Sequence, residues 1–395
     1  MSGRLYKKVS ECCGCEACAE VCPKGIIKMR SDAEGFMYPY VVKPELCVNC
    51  GKCENVCPIK NICNVLNFQE IAIAGYSKDQ LEIQASASGG LATAIAQGFI
   101  EQKKGIVYGV AYTKNFLGAE YKRVATIKEL DELRTSKYIQ ARKNNVYWQV
   151  QRDLCNGLNV LFFGLPCETY ALQLYLGKEY TNLYVCSLIC HGPSSPKVQE
   201  QYINIIMANI QDKLKSFSVR YKKEGWKPYY IRAQFENGKE YIEQFNTSIY
   251  GVAFNYFKRP SCNRCQIKRS KIHSDLTIGD YHLASGGQAK PYNPDGVSSA
   301  VLHTDKGENL ISIAKNFYFE KIPVKNVLYS EAYHRCIPSR RNRKEFGVVF
   351  SQKGLAAACM IKSIARIEKE LSIKKHIKIV GASIKRALLK KHRNR

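Results

Sequence analysis

The chain has 395 residues, eighteen of them cysteine, with 60 Lys and Arg against 34 Asp and Glu for a formal charge of +26. Its 45% hydrophobic share is that of an ordinary globular protein, with room for a small module and one or two larger domains. No charged-then-apolar leader opens it, and its most apolar run, Gly89 to Ile100, is far too short to cross a membrane.

So many cysteines without an export signal are expected as thiolate ligands rather than disulfides, which predicts a reduced, cytoplasmic protein. The positive charge suits nucleic acid, an anionic membrane, acidic partners or phosphorylated ligands. With no helix-turn-helix, zinc-finger or RNA-binding signature beside it, nucleic acid is not expected.

After a polar lead over residues 1–10 come two cysteine runs, Cys12-x2-Cys15-x2-Cys18-x3-Cys22-Pro23 and Cys47-x2-Cys50-x2-Cys53-x3-Cys57-Pro58. Both have the ferredoxin spacing, in which the fourth cysteine of each run ligates the other cluster. On that rule Cys12, Cys15, Cys18 and Cys57 hold one [4Fe–4S] cube, and Cys47, Cys50, Cys53 and Cys22 hold the second. Three thiolates on one tight loop cover three iron corners, and the crossed fourth ties a small core together. Structural zinc also uses Cys-x2-Cys pairs, but it needs neither the terminal proline nor the whole pattern twice. The link between the runs, with Ile26, Ile27, Phe36, Tyr38, Val41 and Val42, reads as a hairpin around Gly35. Cys13 and Cys63 belong to neither pattern and read as structural or free.

Residues 61–70 read as a linker, and from Ile71 the texture becomes alternating strand and helix. Ile71–Tyr76 is a β run, and Leu91–Glu101 has helical spacing behind Gln84-Ala85-Ser86-Ala87-Ser88-Gly89-Gly90. Ser88 is a candidate N-cap, and the glycines let backbone approach a ligand at the helix start, a natural phosphate site. The same turn is also readable as only a turn. Gly105–Tyr112 is a further β run. Asn159–Gly164 and Leu183–Ile189 are apolar runs of strand length; the first turns through Leu165-Pro166-Cys167 into helical Glu168–Leu176. The second ends in Cys190-His191-Gly192-Pro193 before helical Lys197–Ile210. Repeated strand, turn and helix predict an α/β core with ligands at the carboxyl ends of the strands. Ser216–Tyr221, Tyr229–Phe235 and Tyr241–Phe245 read as strands, the last two joined by an Asn237-Gly238 hairpin turn.

Cys167 and Cys190 each follow a predicted strand, and Cys262-x2-Cys265 lies on a loop. If the strands are neighbours, four thiolates converge and could hold a third [4Fe–4S] cluster. Zinc on the same four, or no metal, stays open. In the last 25 residues, 371–395, there are nine Lys and Arg and no Asp or Glu. Ile377, Val380, Ile384 and Leu388 fall on one helical face there, as in a basic helix on an anionic membrane surface. A solvated tail helix has the same pattern.

Six motifs in order resemble the family of beta subunits of coenzyme F420 hydrogenases and dehydrogenases. They are Ser86-Ala87-Ser88-Gly89-Gly90, Ser136-Lys137-Tyr138-Ile139-Gln140, Gly164-Leu165-Pro166-Cys167, Cys190-His191-Gly192-Pro193, Arg259-Pro260-Ser261-Cys262-x2-Cys265 and Ser274-Asp275-x3-Gly279-Asp280. The resemblance covers about residues 70–305 and implies an FAD held by the α/β domain, exchanging electrons with iron–sulfur clusters. In the deazaflavin enzymes the flavin passes hydride to or from coenzyme F420; other relatives reduce chlorophyll intermediates with ferredoxin as donor, or lie among surface-polysaccharide synthesis functions. By the same resemblance Ser86, Ser88, Gly89 and Gly90 are flavin phosphate contacts and Lys137 a flavin or substrate contact. Cys167, Cys190, Cys262 and Cys265 are then the family's thiolates. Glu168, Pro193-Ser194-Ser195-Pro196 and Tyr281-His282 depart from the family pattern near the pocket, so no relative's substrate is carried over. His191 is a candidate proton donor or a histidine bonded to backbone; Asp275 and Asp280 would bind ribose or cap a loop.

These readings predict an α+β / α/β protein: a bacterial-type two-[4Fe–4S] ferredoxin module over residues 1–62, a larger α/β flavin-binding domain over 63–330, and a basic helical tail over 331–395. The expected function is an iron–sulfur flavoprotein oxidoreductase acting on a small organic substrate or coenzyme F420, partnered by ferredoxin or another redox protein, with peripheral contact to the inner face of the membrane through the tail. The alternative is a non-catalytic electron-transfer adaptor for a partner enzyme.

Overall fold

A computed structural model describes residues 5–66, 68–285 and 287–371. The expected basic helix around residues 377–388 lies outside the described residues. The N-terminal module contains α1 (Ala17–Glu20), β1 (Ile27–Ser31), β2 (Met37–Val41) and α2 (Lys52–Asn55). β1 and β2 pair antiparallel from Ile27 opposite Val41 to Ser31 opposite Met37. The turn between them needs Gly35, whose φ of +87° disfavours any side chain.

In the body β3 (Ile71–Ser77), α3 (Gln80–Ala85), α4 (Leu91–Lys103), β4 (Ile106–Tyr112) and β5 (Ala119–Val124) come first. Then follow α5 (Val146–Cys155), β6 (Val160–Gly164), α6 (Pro166–Leu176), β7 (Leu183–Leu188) and α7 (Pro196–Ile210). Next are β8 (Leu214–Tyr221), β9 (Tyr230–Phe235), β10 (Glu240–Gln244), α8 (Ile249–Tyr256), β11 (Leu276–Asp280) and β12 (Ser298–Leu302). α9 (Asp305–Ser312), β13 (Phe317–Lys321), α10 (Val324–Leu328) and α11 (Arg343–Cys359) complete the chain.

The main sheet has eight strands in the order β13-β3-β12-β11-β7-β6-β4-β5. β4, β6, β7 and β11 run parallel at its centre, and the flanking pairs are antiparallel. Both faces are covered, which is why the central strands read as unbroken apolar runs. Val107 and Leu161 point to the layer of α4 and α9. Their neighbours Tyr108, Val160 and Phe162 point to the layer of α5 and α6, where Cys15, Ala17 and Val56 of the module also pack. A separate antiparallel sheet, β10-β9-β8, is closed over by α7, α8 and α11. Phe36 and Tyr38 of the module join that second core.

The packed body continues past residue 330, where the sequence suggested a tail: Tyr333, Phe346, Phe350, Leu355 and Ile364 are buried. By length and composition the stretch Arg343–Leu371 is a candidate membrane span, which the sequence reading had not anticipated. Its backbone breaks at Gly354 (φ +85°), and Phe346, Phe350 and Leu355 are apolar because they pack on α7 and α8.

Candidate functional site

The doubled cysteine pattern folds into two unequal sets. In the inner set Cys18 is in electrostatic contact with Cys12 and Cys57, and Cys15 with Cys18. In the outer set Cys53 faces Cys50 and Cys22, while Cys47 and Cys50 are exposed to solvent on the same loop. Burial pushes the Cys12 thiol up to about 11 and raises Cys18 as well. Without a cation these sulfurs would stay protonated, and iron is what would make them thiolates. Among the described residues no three His, Cys, Asp or Glu side chains stand close enough to hold one metal ion. A cubane makes a different demand, since each thiolate binds its own iron corner.

A further group of thiols gathers where β6 and β7 end. These strands are parallel neighbours, so Cys167 and Cys190 emerge at one sheet edge. Cys190 and Cys265 both bear on Cys262, and Cys190 bears on Cys167. A Cβ on Gly192 would lie 3.1 Å from Cys262 Sγ, so only glycine lets that loop approach. Cys336 donates to the Cys262 carbonyl at 3.1 Å. Cys13 bridges this group and the inner set: its thiol hydrogen-bonds with those of Cys15 and Cys167. Cys63 is apart from all of these, 3.1 Å from the Tyr170 hydroxyl.

Beside the thiol group lies a cavity of about 470 Å³, of the size that takes a cofactor. Its walls are the carboxyl ends of the parallel strands (Val110, Gly164, Leu188, Ile278), the Ser86–Thr93 segment, the Thr135–Ile139 loop and the Cys190–Pro193 turn. Ser86 donates to Glu82 Oε1 at 2.9 Å, and the Ser88 and Ser298 hydroxyls are 2.9 Å apart. The serine hydroxyls therefore shape the loop. Gly90 caps α4 at φ +87° with no side-chain bond, leaving the first-turn N–H groups of Leu91, Ala92 and Thr93 facing the cavity as orphan donors. Such a helix start attracts an anion.

Two cations absent from the sequence reading sit beneath this loop. Arg220, 4% exposed, donates to the Ala87 carbonyl at 2.6 Å, to Asp280 Oδ2 at 2.9 Å and to the Tyr138 hydroxyl at 2.8 Å. Lys222 donates to the carbonyls of Ile83 and Ser88. Burial and the Arg220 charge press its pKa down to about 7, and a neutral amine still supplies both bonds. Burial alone would raise Asp280, but Arg220 and His282 hold it below the usual carboxylate range. Asp280 is thus half of a buried ion pair. Asp275 caps a loop, accepting from Val185 N and Thr304 Oγ1, each at 2.7 Å.

Lys137 lines the cavity, yet its ammonium donates to the carbonyls of Glu132 (3.1 Å) and Arg134 (2.5 Å). Those bonds hold the loop at Thr135, whose φ is +64°. Burial lowers Lys137 to about 7. His191 stands between this cavity and a second, polar one of about 530 Å³ that His282, Ser330 and His334 also line. Burial and nearby Lys258 lower His191 to about 4, so its ring is neutral at physiological pH. Glu168 caps α6 through the Leu165 N–H at 3.0 Å and pairs with buried Lys143 at 2.5 Å.

Residues 157–326 match the family of the C terminus of the coenzyme F420 hydrogenase/dehydrogenase beta subunit, and residues 11–61 match the 4Fe-4S dicluster domain. The chain belongs to the family of coenzyme F420 hydrogenase/dehydrogenase beta subunits. It is an iron–sulfur oxidoreductase subunit whose dicluster module carries two [4Fe–4S] clusters. Among relatives of this beta-subunit chain, one component of the F420H2 dehydrogenase of Methanosarcina mazei is 19% identical over 328 residues, 77% of this chain and 82% of the relative. An uncharacterised ferredoxin of Methanocaldococcus jannaschii is 42% identical over 52 residues, 13% of this chain and 65% of the relative. A chain of the xenon-derivatised F420-reducing [NiFe] hydrogenase complex from Methanosarcina barkeri aligns at TM-score 0.46 and 18% identity over 74% of this chain and 94% of its own.

The signal that could have found Arg220 and Lys222 is their spacing of two on β8, which puts both on one face. Without knowing what covers that face, two alternating cations read as a solvated edge.

Proposed function

We propose that this beta-subunit chain is an iron–sulfur flavoenzyme that binds FAD in the 470 Å³ cavity and acts on a small organic molecule or a deazaflavin such as coenzyme F420. Ferredoxin or a similar redox protein is its electron partner. The observation that carries this reading is continuity: one cavity is lined both by the start of α4 and by the Cys190–Pro193 turn of the thiol group. Bound there, the flavin would supply exchange between single electrons and hydride pairs, and the clusters single-electron storage. Leu91, Ala92 and Thr93 N–H groups would take the flavin's phosphates, with Arg220 adding positive potential from below. Cys12, Cys15, Cys18 and Cys57 would ligate the inner cube, and Cys22, Cys47, Cys50 and Cys53 the outer one.

Cys167, Cys190, Cys262 and Cys265 would ligate a third cluster, for which their convergence is the support. The polar side chamber supports an enzyme over an adaptor, since it offers a substrate a route to the same cavity. His191 at the junction is placed to pass a proton between the two. Exposed Cys47 and Cys50, flanked by exposed Leu46 and Val48, suit the outer set to a redox partner. A role in surface-polysaccharide synthesis would supply the organic substrate.

Iron, acid-labile sulfide and flavin per chain, measured on anaerobically purified protein, test this. About twelve irons with one flavin is the expected result. About eight irons with one flavin would remove the third cluster and keep the oxidoreductase. Iron without flavin would leave only the electron-transfer adaptor, and zinc without iron would overturn both.

A further inference from the structure

Arg259 is the largest fully buried side chain of the described residues, 0% exposed. A guanidinium is always charged, and burying one without an anion is strongly unfavourable. Its partners are Cys12 O from Nε at 2.8 Å, Gln140 Oε1 from Nη1 at 2.9 Å, Met37 O from Nη2 at 3.0 Å, and Cys12 Sγ from Nη2 at 3.6 Å. None of these is a carboxylate. The plane also stacks 4.1 Å from the Tyr38 ring centroid. The groups of negative charge that bear on it are Cys12, Tyr38, Cys13 and Cys262. As a bare protein this is a cation without a counter-ion; with a thiolate-ligated cube at Cys12 it has one.

Nothing equivalent stands at the outer set, where Cys47 and Cys50 are exposed and the Cys47 thiol faces Asn49 at 3.7 Å. A cube's potential follows net charge, hydrogen bonds to its sulfurs and solvent exposure. Burial disfavours the more negative, reduced form of the inner cube, while water favours it at the outer one. We propose that Arg259 is the positioning residue that raises the inner cube's potential, its charge and its N–H to Cys12 Sγ offsetting that burial. This rests on the two-cube reading of the cysteine runs. Because Arg259 also opens the Arg259-Pro260-Ser261-Cys262 turn, the same side chain ties the inner set to the thiol group beside the cavity.

The test is a potentiometric titration of the anaerobic holoprotein followed by electron paramagnetic resonance. Arg259→Gln should lower the midpoint of one N-terminal cube and leave the other in place, and Arg259→Lys should recover most of the shift. Equal shifts in both cubes, or none, would overturn the proposal. Should Arg259→Gln fail to hold its iron, wild-type protein with 15N-labelled arginine decides instead. Pulsed resonance should detect a nitrogen coupled to one reduced cube, and its absence would be the overturning result. Fewer than about eight irons on wild-type protein would instead remove the two-cube reading itself, a failure distinct from intact cubes that ignore Arg259.

Discussion

At the scale of the residue, the pocket is organised by charges whose value depends on being paired. Arg220 and Asp280 are buried together at 2.9 Å, and removing one partner of such a pair typically costs about 3–5 kcal/mol. Arg220→Met should therefore lower the melting temperature strongly and release bound flavin, measured by anaerobic thermal melts and flavin absorbance. The pH dependence has a defined sign. In the wild type Asp280 is held below its ordinary value, so its stabilisation is fully present above the unfolded carboxyl value of about 3.9 and is lost only as pH falls through the lower folded value. In Arg220→Met burial acts unopposed and raises Asp280, so the deficit of the variant should be larger at pH 7.5 than at pH 5. A deficit independent of pH would show that the ion pair is not the source. Neither partner's pairing was legible in the sequence. Asp280 stood out through its motif, but its cation is 60 positions away on another sheet, and spacing cannot see across sheets.

At the scale of the element, strands with both faces covered announce themselves as apolar runs, as β3, β4, β6 and β7 did. The edge strand β5, Ala-Glu-Tyr-Lys-Arg-Val, alternates with charge and passes for loop. β12 was hidden by its serines, and those serines turn out to be structural: Ser298 Oγ receives the Gly89 N–H at 3.0 Å. The neighbouring glycines of this loop should behave differently when substituted. A Cβ on Gly89 would stand 2.5 Å from the Gly75 carbonyl and 2.6 Å from Ser298 N, both backbone atoms. At Gly90 the nearest atom is Ser86 Oγ at 3.3 Å, and the obstacle is the left-handed φ of +87°. Gly90→Ala should cost about 1–2 kcal/mol and weaken flavin binding in a folded protein. Gly89→Ala should prise β3 from β12 and lower the melting temperature by more than Gly90→Ala does. The ranking is checked by melts of the two variants side by side; the reverse order would mean that the backbone contact relaxes at little cost.

At the scale of the molecule, the cysteine spacing identified a module but could not say how it is attached, because ligand spacing carries no information about docking faces. The residues that dock it are scattered through the body. Arg343 forks onto Glu34 with both bonds at 2.6 Å, Ser195 Oγ donates to the Glu34 carbonyl at 2.6 Å, and Tyr147 donates to the Cys15 carbonyl at 2.9 Å. Phe36 and Tyr38 on one side, and Cys15, Ala17 and Val56 on the other, are counted in two different cores of the body. A module on a flexible linker would share no core with its neighbour. The inner cysteines lie at this seam, so iron binding should stabilise more than the module. Anaerobic melts followed by cluster absorbance and by far-ultraviolet circular dichroism should give one shared midpoint, and removing iron by chelation should lower the midpoint of the body as well. Two separate transitions, with the body indifferent to iron, would mean that the seam is only a contact between independently stable units. A shared midpoint that Glu34→Ala splits in two would locate the coupling at the Arg343 fork.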